Sequence, residues 1–158
     1  MILTGIGFDI HAFAPGRRLV LGGVEIPHSQ GLLGHSDADV LCHAISDALL
    51  GAVADGDIGR HFPDTDARWK GANSLDLLRT VAGRLRERGA RVVNVDSTVL
   101  AEAPRVGPHV AAMRHALAGA MGIEEARVSV KATTCEGLGA LGRREGIAVM
   151  AIATVEQT

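Results

Sequence analysis

The stretch SDADVLCHAISDALLGAVA, residues 36–54, carries the longest helical pattern in the chain. Its apolar residues recur every three or four positions, as on the buried face of an amphipathic helix: Val40, Leu41, Ala44, Ile45, Ala48, Leu49 and Ala52. Ser36 is a suitable N-cap followed by acids, so we predict a helix from Ser36 to about Ala54. Asp39, His43 and Asp47 share a different face with Ser36, which indicates that His43 is not a simple core histidine.

Strands and further helices are predicted on both sides of this helix. They are a strand over 2–10, a hairpin over 19–26 turning at Gly22-Gly23, a helix over 74–88, a strand over 91–101, a helix over 108–121, and strands over 128–134 and 147–155. Segment 55–66 is rich in Asp, Gly and Pro and is predicted to be a loop. With no linker between these elements, we expect one domain over residues 1–158, an α/β (α+β) fold with a mixed sheet and helices packed on one face.

Composition excludes several classes of protein. The net charge is −2 and no basic stripe with interleaved aromatic residues is present, which argues against a nucleic-acid partner. No apolar stretch approaches the length of a membrane span, and Met1 leads directly into a strand pattern without a signal peptide. Cys42 and Cys135 form no Cys-x-x-Cys pair and favour reduced thiols. We therefore expect a soluble, cytoplasmic protein.

Asp9 and His11 form half of a possible metal site. Residues two apart on a strand point to the same face, so both side chains can reach one ion, and His43 is a candidate third ligand. Three protein ligands leave zinc an open position for water or substrate, as in catalytic sites. Asp39 or Asp47, one turn from His43, could fix its tautomer. By itself, Asp-x-His is better explained as a chance pair at a strand end.

Three other groups of residues could take part in binding or catalysis. His35 and Ser36 lie at the predicted helix start, where free N–H groups attract phosphate. Residues 133–136 offer two hydroxyls and, in Glu136, an oxygen ligand that suits Mg²⁺. Residues 101–105 follow a strand, and their backbone could bind the edge of a base. Each is otherwise explained as a helix cap, a turn or a connector.

Seven motifs occur in one order along nearly the whole chain: GIGFDIH (5–11), HSDAD (35–39), His43, DIG (57–59), FPDTD (62–66), AEAPR (101–105) and KATTCE (131–136). In sequence and spacing they resemble the 2-C-methyl-D-erythritol 2,4-cyclodiphosphate synthase family. The resemblance implies a homotrimer with active sites between neighbouring subunits. It also implies conversion of 4-diphosphocytidyl-2-C-methyl-D-erythritol 2-phosphate to the cyclic diphosphate with release of CMP, in the non-mevalonate route to isoprenoid precursors.

The resemblance also implies roles for individual residues. Asp9, His11 and His43 correspond to zinc ligands, His35 and Thr134 to catalytic residues, and Glu136 to the ligand of a second ion, Mg²⁺ or Mn²⁺. The implied substrate contacts are Asp9, His11, His35, Ser36, Asp57, Ile58, Gly59, Phe62, Pro63, Asp64, Thr65, Asp66, Ala101, Glu102, Ala103, Pro104, Arg105, Val106, Gly107, Ala132, Thr133, Thr134, Cys135, Glu136 and Arg143. Among them, Asp57 and Gly59 correspond to ribose contacts, 62–66 to the erythritol wall, and 101–107 with 133 to the cytidine pocket.

Three positions depart from the family pattern. Arg105 stands where Lys is common and Glu102 where Gln is common, which changes the local charge but leaves backbone recognition of cytosine possible. Ala140 stands where a Phe often lines a cavity on the trimer axis, so isoprenoid binding there with Phe8 and Arg143 is not expected to follow from the resemblance.

The residues suit this chemistry without a nucleophilic triad. The attacking group is the substrate's own phosphate, so positioning and charge neutralisation suffice. Two alternatives remain open at this point. A zinc hydrolase would hold an activated water at the open position and need a carboxylate base beside it. A metal-stabilised trimeric binding protein would instead have a closed ligand set and no turnover.

Overall fold

Seven strands and five α-helices follow one another along the chain, and the computed structural model describes all 158 residues. The strands are β1 (Ile2–Ala14), β2 (Leu19–Leu21), β3 (Val24–Ile26), β4 (Gly31–Leu32), β5 (Ala90–Leu100), β6 (Val128–Thr133) and β7 (Gly146–Gln157). The helices are α1 (Val40–Ala52), α2 (Ile58–His61), α3 (Ser74–Glu87), α4 (Val110–Met121) and α5 (Gly139–Gly142). Short 3₁₀ helices cover Ala67–Trp69, Gly107–His109 and Glu125–Arg127.

Five strands form one mixed sheet in the order β4-β1-β7-β5-β6. Strand β7 pairs antiparallel with both β1 and β5, whereas β5 and β6 are parallel. The predicted mixed sheet is therefore confirmed. Strands β2 and β3 form a separate hairpin at the predicted residues, and Gly22 and Gly23 both take the positive φ that such a turn requires.

Helices α1, α3 and α4 pack on one face of this sheet, as predicted, and α1 lies directly on β1 and β7. Gly5 and Gly7 allow this close approach. A side chain at Gly7 would place its Cβ 1.9 Å from the carbonyl oxygen of Ala44, and one at Gly5 would place it 2.0 Å from that of Ala48. The absence of side chains at these two glycines thus sets the distance between the strand and helix that carry the predicted metal ligands.

The other face of the sheet is apolar and exposed. The side chains along β1 alternate between the faces, and its exposed positions include apolar residues. The exposed apolar residues of β1 and β7 are Ile2, Ile6, Phe8, Ile10, Met150 and Ile152. No element of the chain covers them, and a face of this extent is typical of a protein–protein interface.

Several predicted boundaries differ from the structure, and the start of α1 differs the most among the helices. Helix α1 begins at Val40 rather than Ser36, and Asp39 is its N-cap. The Asp39 carboxylate accepts hydrogen bonds from the backbone N–H groups of Cys42, Gly22 and Gly23, at 3.0, 2.9 and 2.7 Å. The hairpin thus supplies two donors that only Asp39 reaches, which fixes the cap at that residue.

Elsewhere, pairing extends β1 to Ala14, because β7 and β4 continue the ladder beyond Ile10. The predicted loop over 55–66 contains the short helix α2, which Asp57 caps through the N–H of Arg60 at 2.9 Å. The glycine-rich run over 137–142 contains α5.

The longest helix has 14 residues, and no helix of the chain combines the length and apolar character that crossing a bilayer demands.

Candidate active site

Asp9, His11 and His43 converge on one point between β1 and α1. Asp9 Oδ2 lies 2.9 Å from His11 Nε2 and 3.1 Å from His43 Nδ1, and these two nitrogens are 3.2 Å apart. The two β1 residues share the helix-facing side of the strand, and His43 projects toward them from α1 as its sequence pattern indicated. The structure therefore brings together the three predicted zinc ligands.

The far nitrogen of each imidazole is hydrogen-bonded, which fixes the tautomer. His11 donates its Nδ1–H to the carbonyl oxygen of Leu33 at 2.6 Å, so its Nε2 presents a lone pair to the cluster. His43 Nε2 lies 3.0 Å from Ser74 Oγ and 3.2 Å from Ser36 Oγ. Because Ser74 donates its own hydroxyl proton to Asp37, its oxygen accepts from His43 Nε2–H. In the neutral imidazole, His43 Nδ1 is then unprotonated and available as a ligand.

The prediction that Asp39 or Asp47 fixes the His43 tautomer is wrong. The Asp39 carboxylate accepts its hydrogen bonds from the hairpin and from the first turn of α1. Asp47 accepts a hydrogen bond from the N–H of Ile58 at 2.8 Å. Ser74 is instead the hydrogen-bond partner of His43 Nε2, and Asp37 orients the Ser74 hydroxyl. No local pattern pairs Ser74 with His43, because Ser74 lies 31 residues further along the chain.

The charges at the cluster favour an ionised Asp9. Burial by itself would raise the pKa of Asp9, but when the two imidazoles are protonated their hydrogen bonds and positive charge, from His11 and then His43, outweigh it and lower this pKa well below its usual range. Burial would lower the pKa of His11, yet the hydrogen bond and charge of Asp9 raise it above its usual value. A carboxylate charge is thus held in place beside two imidazole nitrogens.

This donor set fits a divalent cation. One ligand atom from each of the three residues lies within 4.8 Å of the others, and two nitrogens with one carboxylate oxygen is a combination that zinc accepts. The set contains only three protein donors, which leaves an ion there open to a further ligand.

A cavity of about 430 Å³ opens directly beside the cluster. Its lining includes most of the predicted residues on this side of the protein, namely Asp9, His11, His35, Ser36, His43, Ile58, Gly59, Phe62, Pro63 and Asp64. Four lining residues were not among the predicted ligands and substrate contacts: Gly34, Asp47, Trp69 and Leu77. Of these, Asp47 had a sequence signal, because it lies one turn after His43 on the same helix face.

The loop after α2 forms the outer wall of this cavity. Phe62 packs edge-on against Trp69, with ring centroids 5.0 Å apart, and the His35 ring lies 3.0 Å from the carbonyl oxygen of Asp66. His35 and Ser36 precede α1 by several residues, so the prediction that they lie at the N-terminus of this helix is wrong; the Asp39 carboxylate caps that end. Three predicted contacts, Asp57, Thr65 and Asp66, do not line the cavity.

The remaining predicted residues lie at the far edge of the sheet, around the ends of β5 and β6. Glu102 accepts hydrogen bonds from the N–H groups of Cys135 and Gly137, at 2.8 and 3.2 Å, and thereby joins the two segments. The predicted residues Ala132, Thr133, Thr134 and Glu136 are exposed here.

The 101–107 segment combines buried and exposed positions. The Val106 side chain belongs to the core, at 3% exposure, which leaves only its backbone for a ligand. Arg105 and Gly107 are exposed. Arg143 is also exposed and pairs with Glu145 at 2.6 Å.

These two groups of residues are separated within the chain. Asp9 pairs with Val149, Val149 with Val99, and Val99 with Ala132, so Asp9 and Ala132 share one row of the sheet. They are three strands apart, about 14 Å at the usual strand spacing of about 4.8 Å. Glu136 therefore does not join the metal cluster of its own chain.

Comparisons with known proteins agree over nearly the full length of the chain. The sequence model of the YgbB family matches residues 2–156. The 2-C-methyl-D-erythritol 2,4-cyclodiphosphate synthase of Syntrophomonas wolfei is 62% identical over 154 residues, 98% of each chain. The bifunctional IspDF from Campylobacter jejuni has a TM-score of 0.96 at 44% identity over 100% of this chain and 43% of its own. A CDP complex of IspF from Plasmodium falciparum has a TM-score of 0.87 at 31% identity, covering 99% of this chain and 97% of its own.

Proposed function

Because the chain belongs to the YgbB family, we propose that it converts 4-diphosphocytidyl-2-C-methyl-D-erythritol 2-phosphate to 2-C-methyl-D-erythritol 2,4-cyclodiphosphate and CMP. In this reaction an oxygen of the 2-phosphate attacks the β-phosphorus of the diphosphate. The bond from that phosphorus to the bridging oxygen breaks, and CMP leaves with the oxygen. The protein would thus act as a phosphorus-oxygen lyase of isoprenoid precursor synthesis in the cytoplasm.

The observation that carries this proposal is the open donor set of Asp9, His11 and His43 beside a cavity of about 430 Å³. These three residues would hold Zn²⁺, and Glu136 would hold a second ion, Mg²⁺ or Mn²⁺. When bound, such ions supply Lewis acidity and neutralise phosphate charge.

The side chains around the cavity have positioning roles in this proposal. His35 and the hydroxyl of Thr134 would donate hydrogen bonds to phosphate oxygens as charge shifts to the leaving group. Ile58, Phe62 and Pro63 would surround the erythritol carbon chain and exclude water, and Asp57 and Gly59 would contact the ribose. No general base is required, because the attacking phosphate oxygen is already ionised at neutral pH.

We further propose that each active site is shared by two chains of a homotrimer. The zinc ligands and the Ala132 row of the cytidine pocket are about 14 Å apart within one chain, and Glu136, the proposed ligand of the second ion, is outside the metal cluster of its own chain. The exposed apolar face of β1 and β7 offers a surface that neighbouring subunits would bury. The backbone of 101–107 with Thr133 from one chain would then bind cytosine opposite the metal site of the next.

The test is phosphorus NMR on the purified protein with the cytidyl substrate and Mg²⁺. The proposal expects equal appearance of CMP and of the cyclic diphosphate, whose two phosphorus signals remain coupled. A zinc hydrolase would release linear phosphates instead, and a binding protein would leave the substrate signals unchanged. Either of those results would overturn the proposed reaction.

A further inference from the structure

A second large cavity lies at the opposite end of the sheet from the metal ligands. Its volume is about 480 Å³, and its wall includes Val92, near the start of β5. Val92 pairs with Val155, and Val155 with Leu3, six residues before Asp9 on β1. At about 3.3 Å per residue the two sites are about 20 Å apart. A ligand in this cavity would not touch the active site of the same chain.

Three arginines from different elements line this cavity: Arg86 from α3, Arg91 from β5 and Arg127 from the turn before β6. Glu124 is the only acidic residue of the lining, and it forms no ion pair with any of the three. The cavity therefore has a positive excess, although the whole chain carries a net charge of −2.

Two of these guanidinium groups have few acceptors within the chain. On the same helix, Arg84 and Arg88 both bind Asp55, whereas Arg86 has no carboxylate or carbonyl partner. Its Nη1 lies over Gly122, 3.8 Å from the position that a Cβ would take there. Arg127 makes one long hydrogen bond, 3.4 Å, to the carbonyl oxygen of Val93.

Helix electrostatics explain only part of this arrangement. A cation in the last turn of α3 interacts favourably with the helix dipole, which accounts for Arg86. Arg91 lies on a strand, where it pairs with Glu156, and Arg127 ends a 3₁₀ helix on another element. The convergence of the three side chains on one concave surface is not a property of a single helix end.

We propose that this cavity is a second anion site that binds a small phosphate-bearing molecule. A guanidinium group with free N–H donors matches the geometry of a phosphate group and can donate two parallel hydrogen bonds to two of its oxygens. The floor is apolar, formed by Ala82, Val92, Met121 and Ile123, and suits a carbon skeleton attached to the phosphate. A volume of this size is in the range of small-molecule sites. The inference does not depend on the proposed reaction.

The test uses amide NMR of the intact ¹⁵N-labelled protein titrated with inorganic diphosphate. Each site is followed through its own amides, Gly122 and Ile123 for the arginine cavity and Gly34 for the metal cavity. The variant is Arg86→Gln combined with Arg127→Gln. The matched control is Arg79→Gln, an exposed arginine of α3 that pairs only with Asp76, outside the cavity.

The proposal expects saturable shifts at Gly122 and Ile123 in the wild type and in Arg79→Gln. In the double variant the affinity at these amides should fall by about tenfold or more, the loss expected on removal of charge-assisted hydrogen bonds. Shifts at Gly34 and turnover of the cytidyl substrate should stay unchanged. Absence of a saturable shift at Gly122 and Ile123, or an equal affinity in the double variant, would overturn the second site.

Discussion

Ser74 Oγ lies 3.0 Å from Nε2 of His43, so the first residue of α3 is bonded to a ligand of the candidate metal site. The hydroxyl proton of Ser74 goes to Asp37, which leaves its oxygen to accept from the imidazole. This chain of contacts holds His43 with Nδ1 toward Asp9 and His11.

Ser74→Ala should therefore weaken zinc binding while leaving the ligands in place. Removal of an outer hydrogen bond to a metal-bound histidine typically lowers affinity by about 10- to 100-fold. Competition with a chromogenic chelator measures this change. The matched control is Ser97→Ala, at a buried serine of β5 that bonds only to the Ser129 carbonyl oxygen. Equal zinc affinities in the wild type and Ser74→Ala would remove Ser74 from this role.

Gly7→Ala should destabilise the protein strongly. The new Cβ would meet the Ala44 carbonyl oxygen at 1.9 Å, so β1 and α1 must separate, at a cost of about 3 kcal/mol or more in the free energy of unfolding. Urea unfolding of the wild type and Gly7→Ala measures this change in the free energy of unfolding. Gly119→Ala, on the exposed side of α4 with no neighbour within 4 Å, is the control and should stabilise by about 0.5 to 1 kcal/mol. A similar small effect at both glycines would contradict the close packing described above.

Two inactive variants should restore part of the activity when their subunits mix. His43→Ala removes a proposed metal ligand, and Ala132→Trp would fill the proposed cytidine pocket at an exposed position that tolerates the added volume. If the protein is the proposed trimer, a mixed trimer contains interfaces that join an intact metal site to an intact pocket. Turnover is measured after subunit exchange, which mass spectrometry of labelled chains verifies. Exchange without any gain over the separate variants would place the whole site in one chain.

Glu136→Gln should raise the Mg²⁺ concentration required for turnover. The neutral amide is a weaker ligand for a hard cation than the carboxylate it replaces. Zinc content should be unchanged, because Glu136 is not part of the Asp9 cluster. The measurement is the initial rate as a function of Mg²⁺ concentration, with Glu87→Gln, an exposed glutamate of α3, as the matched control. An unaltered Mg²⁺ dependence in Glu136→Gln would contradict the assignment.

Asp55→Asn should reduce stability at neutral pH but not in acid. Burial would raise the pKa of Asp55, but the hydrogen bond from Arg84 and the charges of Arg88, Arg84 and His61 lower it below its ordinary 3.8. Because the folded-state pKa is the lower one, the carboxylate stabilises the fold above the ordinary pKa, and this contribution is lost as the pH falls through the folded-state value. We expect a loss of about 1 to 2 kcal/mol at neutral pH.

The check for Asp55 is denaturant unfolding of both proteins across the acid range. The difference between the wild type and Asp55→Asn should shrink as the pH falls below about 4. Asp76→Asn, which removes an exposed ion pair on α3, is the control and should have little effect at any pH. A difference that stays constant with pH would show that the charge of Asp55 is not the stabilising feature.

The sequence by itself determined the features whose geometry is local. Asp9 and His11 share a strand face because side chains alternate with a period of two, and Gly22-Gly23 turns the hairpin because glycine adopts positive φ without strain. The apolar stripe of α1 also predicted that His43 would face away from the core stripe. These patterns, with the ordered motifs, were sufficient to predict the mixed sheet, the covering helices and the three residues of the candidate metal site.

Only the tertiary structure decided which distant residues meet. Asp39 rather than Ser36 caps α1 because the hairpin brings two backbone donors to it, and Ser74 fixes His43 because α3 packs beside α1. The sheet order β1-β7-β5-β6 puts Asp9 and Ala132 three strands apart, although both belong to the same set of motifs. Strand order and helix packing depend on contacts between residues many positions apart, and periodicity, which reports each element separately, contains no information about them.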